Sequence, residues 1–386
     1  MSKRFLTVGS LLRNDELLKY KREIENRDDI TYPFYDDLEG YKECEERSVG
    51  EIVEKQIEEG LEEITDGEYP KALWHLDFVW GFDGVKRYIN DTGYFFEEKD
   101  NDGKYETRKD IGIKYEGKLS GKNHPFIDHF KRLKKLADGR VKIKQTIPSP
   151  SHTFGDAINT DYLVDSYYKN EEDFERDLIA SYKEYLEEFK NAGGETIQFD
   201  DCLWEQFADE SENSQYDGQS KTDSHTKNKD LAEKYIAINN EVIDYAHSLG
   251  LKIYTHNCRG NYASRHFGSG TYDSIADLFL KKQNYDRFYL EWDDERAGSL
   301  DSLNALKDKD CEVVLGFLSS KTATLDDEDR VYDLLEKASK IIDKDRLYLS
   351  HQCGFASCDN GNELSHDQQW AKIKQGQEIA EEFFGQ

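Results

Sequence analysis

Short apolar or alternating runs recur along the chain, and most are followed by a longer stretch with helical periodicity. Eight of them read as strands: Phe5–Gly9, Glu62–Asp66, Val141–Thr146, Thr196–Asp200, Lys252–Thr255, Arg287–Glu291, Glu312–Phe317 and Arg346–Ser350. The clearest helix lies between the third and the fourth. Asn170 is placed to cap it, and Glu171, Glu172 and Asp173 suit the positive end of its dipole. Phe174, Leu178, Tyr182, Leu186 and Phe189 mark one face before Ala192-Gly193-Gly194 stops it. A second helix runs through Leu231, Tyr235, Ile238, Val242, Tyr245 and Leu249 to Gly250. A third is expected to begin near Thr324, which has capping-box spacing from Asp327, and to continue through Val331, Leu334, Leu335, Ala338 and Ile341. No proline follows Pro150, so nothing kinks the later helices.

Eight strand–helix units without a compositionally biased linker predict an α/β fold, a (β/α)8 TIM barrel occupying residues 1–386 as a single catalytic domain. The glycine spacing of a dinucleotide-binding turn is missing after the first strand. Two excursions enlarge the barrel. Residues 75–140, where Gly93–Lys118 alternates aromatic and charged positions, are expected to form a hairpin and short helices. Residues 209–228 hold almost no large apolar side chain and are expected to be a mobile rim loop. Chemistry in such barrels gathers at the C-terminal strand ends. Segments 9–10, 66–68, 148–153, 200–206, 256–258, 291–294, 318–321 and 351–354 would therefore share one mouth.

The 386 residues are 37% hydrophobic and 13% aromatic, enough for a sizeable core and against disorder. No uncharged apolar run reaches the roughly 18 residues of a spanning helix. Met1 to Val8 enters strand-like sequence without an apolar export segment, so a cytoplasmic location is expected. Against 52 Lys and Arg stand 81 Asp and Glu, a formal charge of -29 that disfavours nucleic acid and anionic membrane as partners. An anionic small substrate would need a local basic pocket. Six cysteines in this length do not make a disulfide scaffold, so each needs its own explanation. Oligomeric state is left open.

Thr255-His256-Asn257-Cys258 closes the fifth strand and His351-Gln352-Cys353-Gly354 the eighth. Residues two apart point to the same side of an extended segment, so His256 and Cys258 would approach one ion. Cys353 would meet them across the mouth, and Glu291 at the end of the sixth strand supplies an oxygen. Such nitrogen, sulfur and oxygen donors suit Zn2+. His351 shares parity with Cys353 and competes with it. Buried cysteine is also common in cores. Cys44, Cys202, Cys311 and Cys358 are read as packing or solvent-facing residues.

Further segments extend the pattern: Val8-Gly9-Ser10-Leu11-Leu12-Arg13, Glu51-Ile52-Val53-Glu54-Lys55-Gln56, Ile64-Thr65-Asp66-Gly67-Glu68-Tyr69, Ile197-Gln198-Phe199-Asp200, Leu290-Glu291 and Cys353-Gly354-Phe355. With His256-Asn257-Cys258 and in this order, over about residues 5–384, the chain resembles the cobalamin-independent methionine synthase family. The likeness is to its short single-barrel members, related to the catalytic C-terminal half. The resemblance implies zinc-dependent methyl transfer to homocysteine, with polyglutamylated 5-methyltetrahydrofolate as donor and methionine as product. It puts His256, Cys258, Glu291 and Cys353 at the four metal-ligand positions, three of them anionic when deprotonated. That electron-rich set would keep a substrate sulfur nucleophilic, with Glu291 the ligand that gives way. It also implies Ser10, Glu68 and Asp200 around the amino-acid part of homocysteine. Ser10 and neighbouring N–H groups would hold the carboxylate, and Glu68 and Asp200 would accept from the ammonium.

The donor side departs from the family. Gly316-Phe317-Leu318-Ser319-Ser320-Lys321-Thr322 carries Leu318 where a proton-donating histidine is expected; Lys321 is the candidate for a proton or an acidic tail. Pro148-Ser149-Pro150-Ser151-His152-Thr153-Phe154 lacks the family tryptophan, and His152 either helps to bind a donor or caps the loop. Arg13, Lys142, Lys144 and Lys321 would have to offset the net charge for an anionic methyl donor. Two alternatives stand beside the folate reading. One is alkyl or methyl transfer from a non-folate or corrinoid donor to homocysteine or another small thiol. The other is a non-enzymatic barrel with structural zinc.

Overall fold

The computed structural model describes residues 3–98, 103–160, 162–208, 221–268 and 270–385, with backbone alone at 221–228 and 296. It is an α/β fold built on parallel strands, and the strand neighbours follow chain order. Gln145–Pro148, Thr196–Asp200, Lys252–Asn257, Arg287–Glu291, Glu312–Leu318 and Leu347–His351 form one six-stranded sheet. Every neighbouring pair in it is parallel. The third expected strand is divided. Lys142–Ile143 pairs with Glu63–Ile64 in a separate parallel pair, while Gln145–Pro148 joins the main sheet.

At the other edge Phe5 bridges Leu349 in parallel, with Leu6 N–H donating to Leu349 O at 2.9 Å and Leu349 N–H to Arg4 O at 2.8 Å. Between the first segment and Glu63–Ile64, no ladder forms among the described residues. The link is instead Thr65 Oγ1 donating to Gly9 O at 2.6 Å and Leu11 N–H to Gly67 O at 3.0 Å. Gly9 turns the chain out of the strand here at φ 153°, which ends pairing early.

The helix Glu171–Asn191 forms as its sequence dictates: Asn170 Oδ1 accepts from Asp173 N–H at 2.8 Å, and Phe174, Leu178, Tyr182, Leu186 and Phe189 are buried. Two expectations need correction. The long helix spans Lys221–Ser248, so residues 221–228 are its opening turns rather than a rim loop; the rest of that expected loop, 209–220, lies outside the described residues. The Glu328–Ala338 helix is capped by Asp327, which accepts from Arg330 N–H, and not by Thr324. A carboxylate satisfies the orphan N–H and complements the dipole together.

The first excursion contains the expected hairpin. Phe95–Glu97 pairs with Lys104–Glu106, and Asp83–Tyr88 pairs with Gly112–Ser120, both antiparallel. Phe126–Ala137, at its far end, is an amphipathic helix that buries Phe126, Ile127, Phe130 and Leu133 and belongs to the regular strand–helix alternation. Leu6, Val8, Tyr254, Tyr289 and Val314 make a second, smaller core. Lys144 sits among them, donating to Thr7 O at 2.8 Å, Gln198 Oε1 at 2.6 Å and Tyr289 OH at 3.0 Å. Among the described residues no helix is long and apolar enough to cross a membrane.

Candidate metal centre and substrate cavity

His256 closes the Lys252–Asn257 strand and Cys258 follows it, so the two side chains share a side. Cys353 arrives from just beyond Leu347–His351. The ligand atoms of His256, Cys258 and Cys353 lie within 4.8 Å of one another, and all three residues are buried. Cys258 Sγ and Cys353 Sγ are 4.0 Å apart. Tetrahedral zinc with Zn–S bonds of about 2.3 Å separates two sulfurs by about 3.8 Å, so the donor set fits that ion. His256 is pre-oriented: Nδ1 lies 3.2 Å from Asp200 Oδ1, and Nε2 is 3.1 Å from Gln352 O. A carboxylate on one ring nitrogen is the usual partner of a ligating histidine, and the other nitrogen would exchange the Gln352 carbonyl for a metal.

Without a bound cation the three groups favour their protonated forms, so a metal would displace protons. Hydrogen bonding to Cys202 and burial push the Cys258 thiol well up, and Cys258 and burial do the same to Cys353. Burial opposes protonation of His256, but the Asp200 and Cys353 contacts outweigh it and raise the imidazole to about 10.

Glu291 stands apart from this trio. Its Oε2 accepts from Arg259 N–H at 2.6 Å, and its Oε1 faces Lys321 Nζ at 3.2 Å. Lys321 is thus a buried ion-pair partner rather than a solvated side chain. His351 is displaced from the centre, its ring packed against Phe5 and Phe355.

Ser10, Glu68 and Asp200 line the same open cavity as His256, Cys258 and Cys353, with a volume of about 120 Å³. Ser10 Oγ accepts from Ala356 N–H at 3.3 Å. Gly354 allows the approach, since a Cβ there would lie 2.0 Å from Ser10 Oγ. Glu68 occupies a left-handed conformation, φ 60°, with its N–H donated to Asp66 Oδ1 at 2.9 Å. That turn aims its carboxylate inward, where Oε1 accepts from Thr146 Oγ1 at 2.5 Å and faces Lys71 Nζ at 3.4 Å. Burial pushes the Glu68 carboxyl up. Asp200 meets His256 and Gln198 Nε2 through one oxygen, Oδ1.

The expected basic residues are committed elsewhere. Arg13 donates to the carbonyls of Ala356, Cys358 and Glu68. Lys144 is buried in the smaller core against Gln198, and Lys142 pairs with Glu62 on the outside. His152 does not cap its loop; Ser149 Oγ does so by accepting from His152 N–H at 2.9 Å. The His152 ring instead lines the cavity beside Trp74, with centroids 4.8 Å apart.

Trp74, His75, Asp156 and Cys202 are among the cavity residues to which the sequence assigned no functional role. Cys202 Sγ lies 3.3 Å from Cys258 Sγ. It stands two residues after Asp200, and the parity that joined His256 to Cys258 would have found it. Asp156 is one helical turn beyond His152, a relation visible once that segment is read as a helix. Trp74 and His75 carried no periodic signal.

No protein-family model matches the sequence. YxjH of Bacillus subtilis (strain 168), an uncharacterized protein, is 34% identical over 376 residues, covering 97% of this chain and 92% of YxjH. YxjG of the same organism, also uncharacterized, is 33% identical over 373 residues with the same coverage. A Listeria monocytogenes protein described as a candidate vitamin-B12-independent methionine synthase superposes with a TM-score of 0.68 and 28% identity, covering 98% of this chain and 97% of that one. A B12-independent methionine synthase from Shewanella sp. W3-18-1, in complex with selenomethionine, gives 0.67 at 20% identity, covering 99% and 98%. A methyltransferase from Methanosarcina mazei gives 0.53 at 14%, covering 98% and 94%; these last two likenesses concern the fold. The chain therefore belongs to the family of YxjG and YxjH and has the fold of B12-independent methionine synthase-like proteins.

Proposed function

We propose that the protein methylates the thiol of homocysteine to give methionine, using zinc held by His256, Cys258 and Cys353, with Glu291 as the displaceable fourth ligand. The observation that carries this reading is the meeting of two thiols and one imidazole with Ser10, Glu68 and Asp200 in one cavity. Bound zinc would supply a cation that keeps the substrate thiol deprotonated yet nucleophilic. The chain's own residues do the rest. Ser10 holds the substrate carboxylate. Glu68 and Asp200 accept from its ammonium, fixing the sulfur's direction of attack. Asp200 also keeps the His256 ring turned toward the thiols. Lys321 stabilises Glu291 whenever that carboxylate is not a ligand. The reading takes the eight strand segments as one closed (β/α)8 barrel acting in the cytoplasm.

In this reading the donor is 5-methyltetrahydrofolate, its ring against Trp74 and His152. A non-folate or corrinoid donor is the second reading, favoured by one observation: Arg13, Lys142 and Lys144 are bound to other groups, which leaves a polyglutamate tail little charge to meet. The test is to incubate zinc-loaded protein with homocysteine and, separately, mono- and polyglutamylated 5-methyltetrahydrofolate and methylcobalamin, and to identify products by mass. Methionine that depends on the folate supports the first reading, and methionine from methylcobalamin alone the second. No methionine from any donor contradicts homocysteine methylation.

A further inference from the structure

A second set of donors lines the cavity, distinct from the thiols. His75 and His152 each bring Nε2 to 3.6 Å from the same oxygen, Oδ2 of Asp156. His75 enters from the turn before the Leu76–Trp80 helix, while His152 and Asp156 lie four residues apart on one face of Pro150–Asn159. The separations are too long for hydrogen bonds. They do match donors around one ion: bonds of about 2.0–2.1 Å at a tetrahedral centre put ligand atoms about 3.4 Å apart.

The surroundings contain unmet demands that an ion would answer. Both histidine side chains are at least nine-tenths buried, and neither Nδ1 has a hydrogen-bond partner. Asp201 Oδ1 is likewise without one and lies 3.9 Å from His152 Nδ1. The other oxygen of Asp201 is fixed by the hydroxyls of Ser149 and Ser151, both at 2.7 Å. A ligating histidine usually gives its second N–H to such a carboxylate. The Trp74 ring packs against both imidazoles, with centroids 4.6 and 4.8 Å away.

We propose that His75, His152 and Asp156 form a second metal site, for a divalent first-row transition ion, with Asp201 as the positioning carboxylate behind His152. Two nitrogens and one oxygen suit Zn2+, Co2+ or Fe2+. Three protein donors leave at least one position open to the cavity, where an anionic oxygen of a small substrate would bind. This site rests on its own residues, whichever thiol the other centre serves.

The test loads full-length protein with Co2+ and then Zn2+, removes excess ion, and counts metal per chain by mass spectrometry beside the cobalt absorption spectrum. Wild type is expected to hold two ions. His75→Ala and His152→Ala should each hold one and keep the thiolate-to-cobalt charge-transfer band. Cys258→Ser with Cys353→Ser should hold one without that band. Asp201→Asn should weaken only the band-free site, by about 10- to 100-fold. Asp156→Asn, nearly isosteric, replaces any histidine variant that fails to fold. One ion per chain in wild type, lost entirely with the two cysteines, would overturn the proposal, as would two ions surviving both histidine changes. A wild type that holds one ion without the charge-transfer band, and keeps it when both cysteines are changed, would uphold this site while contradicting the thiolate centre.

Discussion

Asp200 Oδ1 lies 3.2 Å from His256 Nδ1, while Nε2 of the same ring faces Gln352 O at 3.1 Å. Gln352 adjoins Cys353, so the imidazole is held between an orienting carboxylate and the segment that carries the second thiol. From this contact, Asp200→Asn is expected to weaken zinc binding by about 10- to 100-fold without changing the one-to-one stoichiometry of the thiolate site. Chelator competition checks it. Unchanged affinity would show that Asp200 serves only the substrate.

Gly354→Ala separates substrate recognition from metal binding. The added methyl would lie 2.0 Å from Ser10 Oγ and 3.0 Å from Ser10 N, so Ser10 must move. The KM for homocysteine should rise by about tenfold or more, equivalent to about 1.4 kcal/mol, while zinc content stays constant. A normal KM would remove Ser10 from the carboxylate pocket.

Lys321 and Glu291 are both buried, and removing one member of such a pair typically costs about 3–5 kcal/mol. Lys321→Met should therefore destabilise the zinc-free protein by about 3 kcal/mol, and the zinc-loaded protein by less, because Glu291 then has a second cation to face. Urea unfolding of both forms provides the comparison. Equal losses would mean that Glu291 never turns to the metal.

Stability should carry a histidine signature in acid. Burial lowers His124 to about 3 and His129 to about 4. Between those values and the ordinary value near 6.5 the unfolded chain binds protons that the folded chain refuses, so this stability falls as pH drops through that window. The cost for His124 reaches about 3 kcal/mol at pH 4. Asp156, raised to about 7, acts with the opposite sign. The readout is therefore a difference: His124→Asn should show a shallower loss of unfolding free energy than wild type between pH 7 and 4.5. Parallel curves would contradict a neutral His124 in the fold.

The strands were legible because parallel strands covered on both faces read as nearly unbroken apolar runs; the buried strand Glu312–Leu318 is one such run. The same strand ends carry His256, Cys258 and Cys353, so the trio could be read with the fold. The fates of the charged residues could not. Lys144 looks like any surface lysine until Gln198 and Tyr289 arrive from other strands to satisfy it. Arg13 likewise meets its carbonyls more than three hundred residues away along the chain, at Ala356 and Cys358. His75 and Trp74 lie in an irregular turn, where no period marks which side faces inward. The opening turns of Lys221–Ser248 were hidden because that stretch is polar on every side.

The central claim is that a thiol substrate joins the His256–Cys258–Cys353 centre. X-ray absorption at the zinc edge, on protein carrying a single equivalent of zinc, measures this directly with and without homocysteine. The expected result is two sulfur neighbours at about 2.3 Å in the resting protein and three when homocysteine is present, with loss of an oxygen neighbour. A sulfur count that stays at two in saturating homocysteine would contradict thiol activation at this centre.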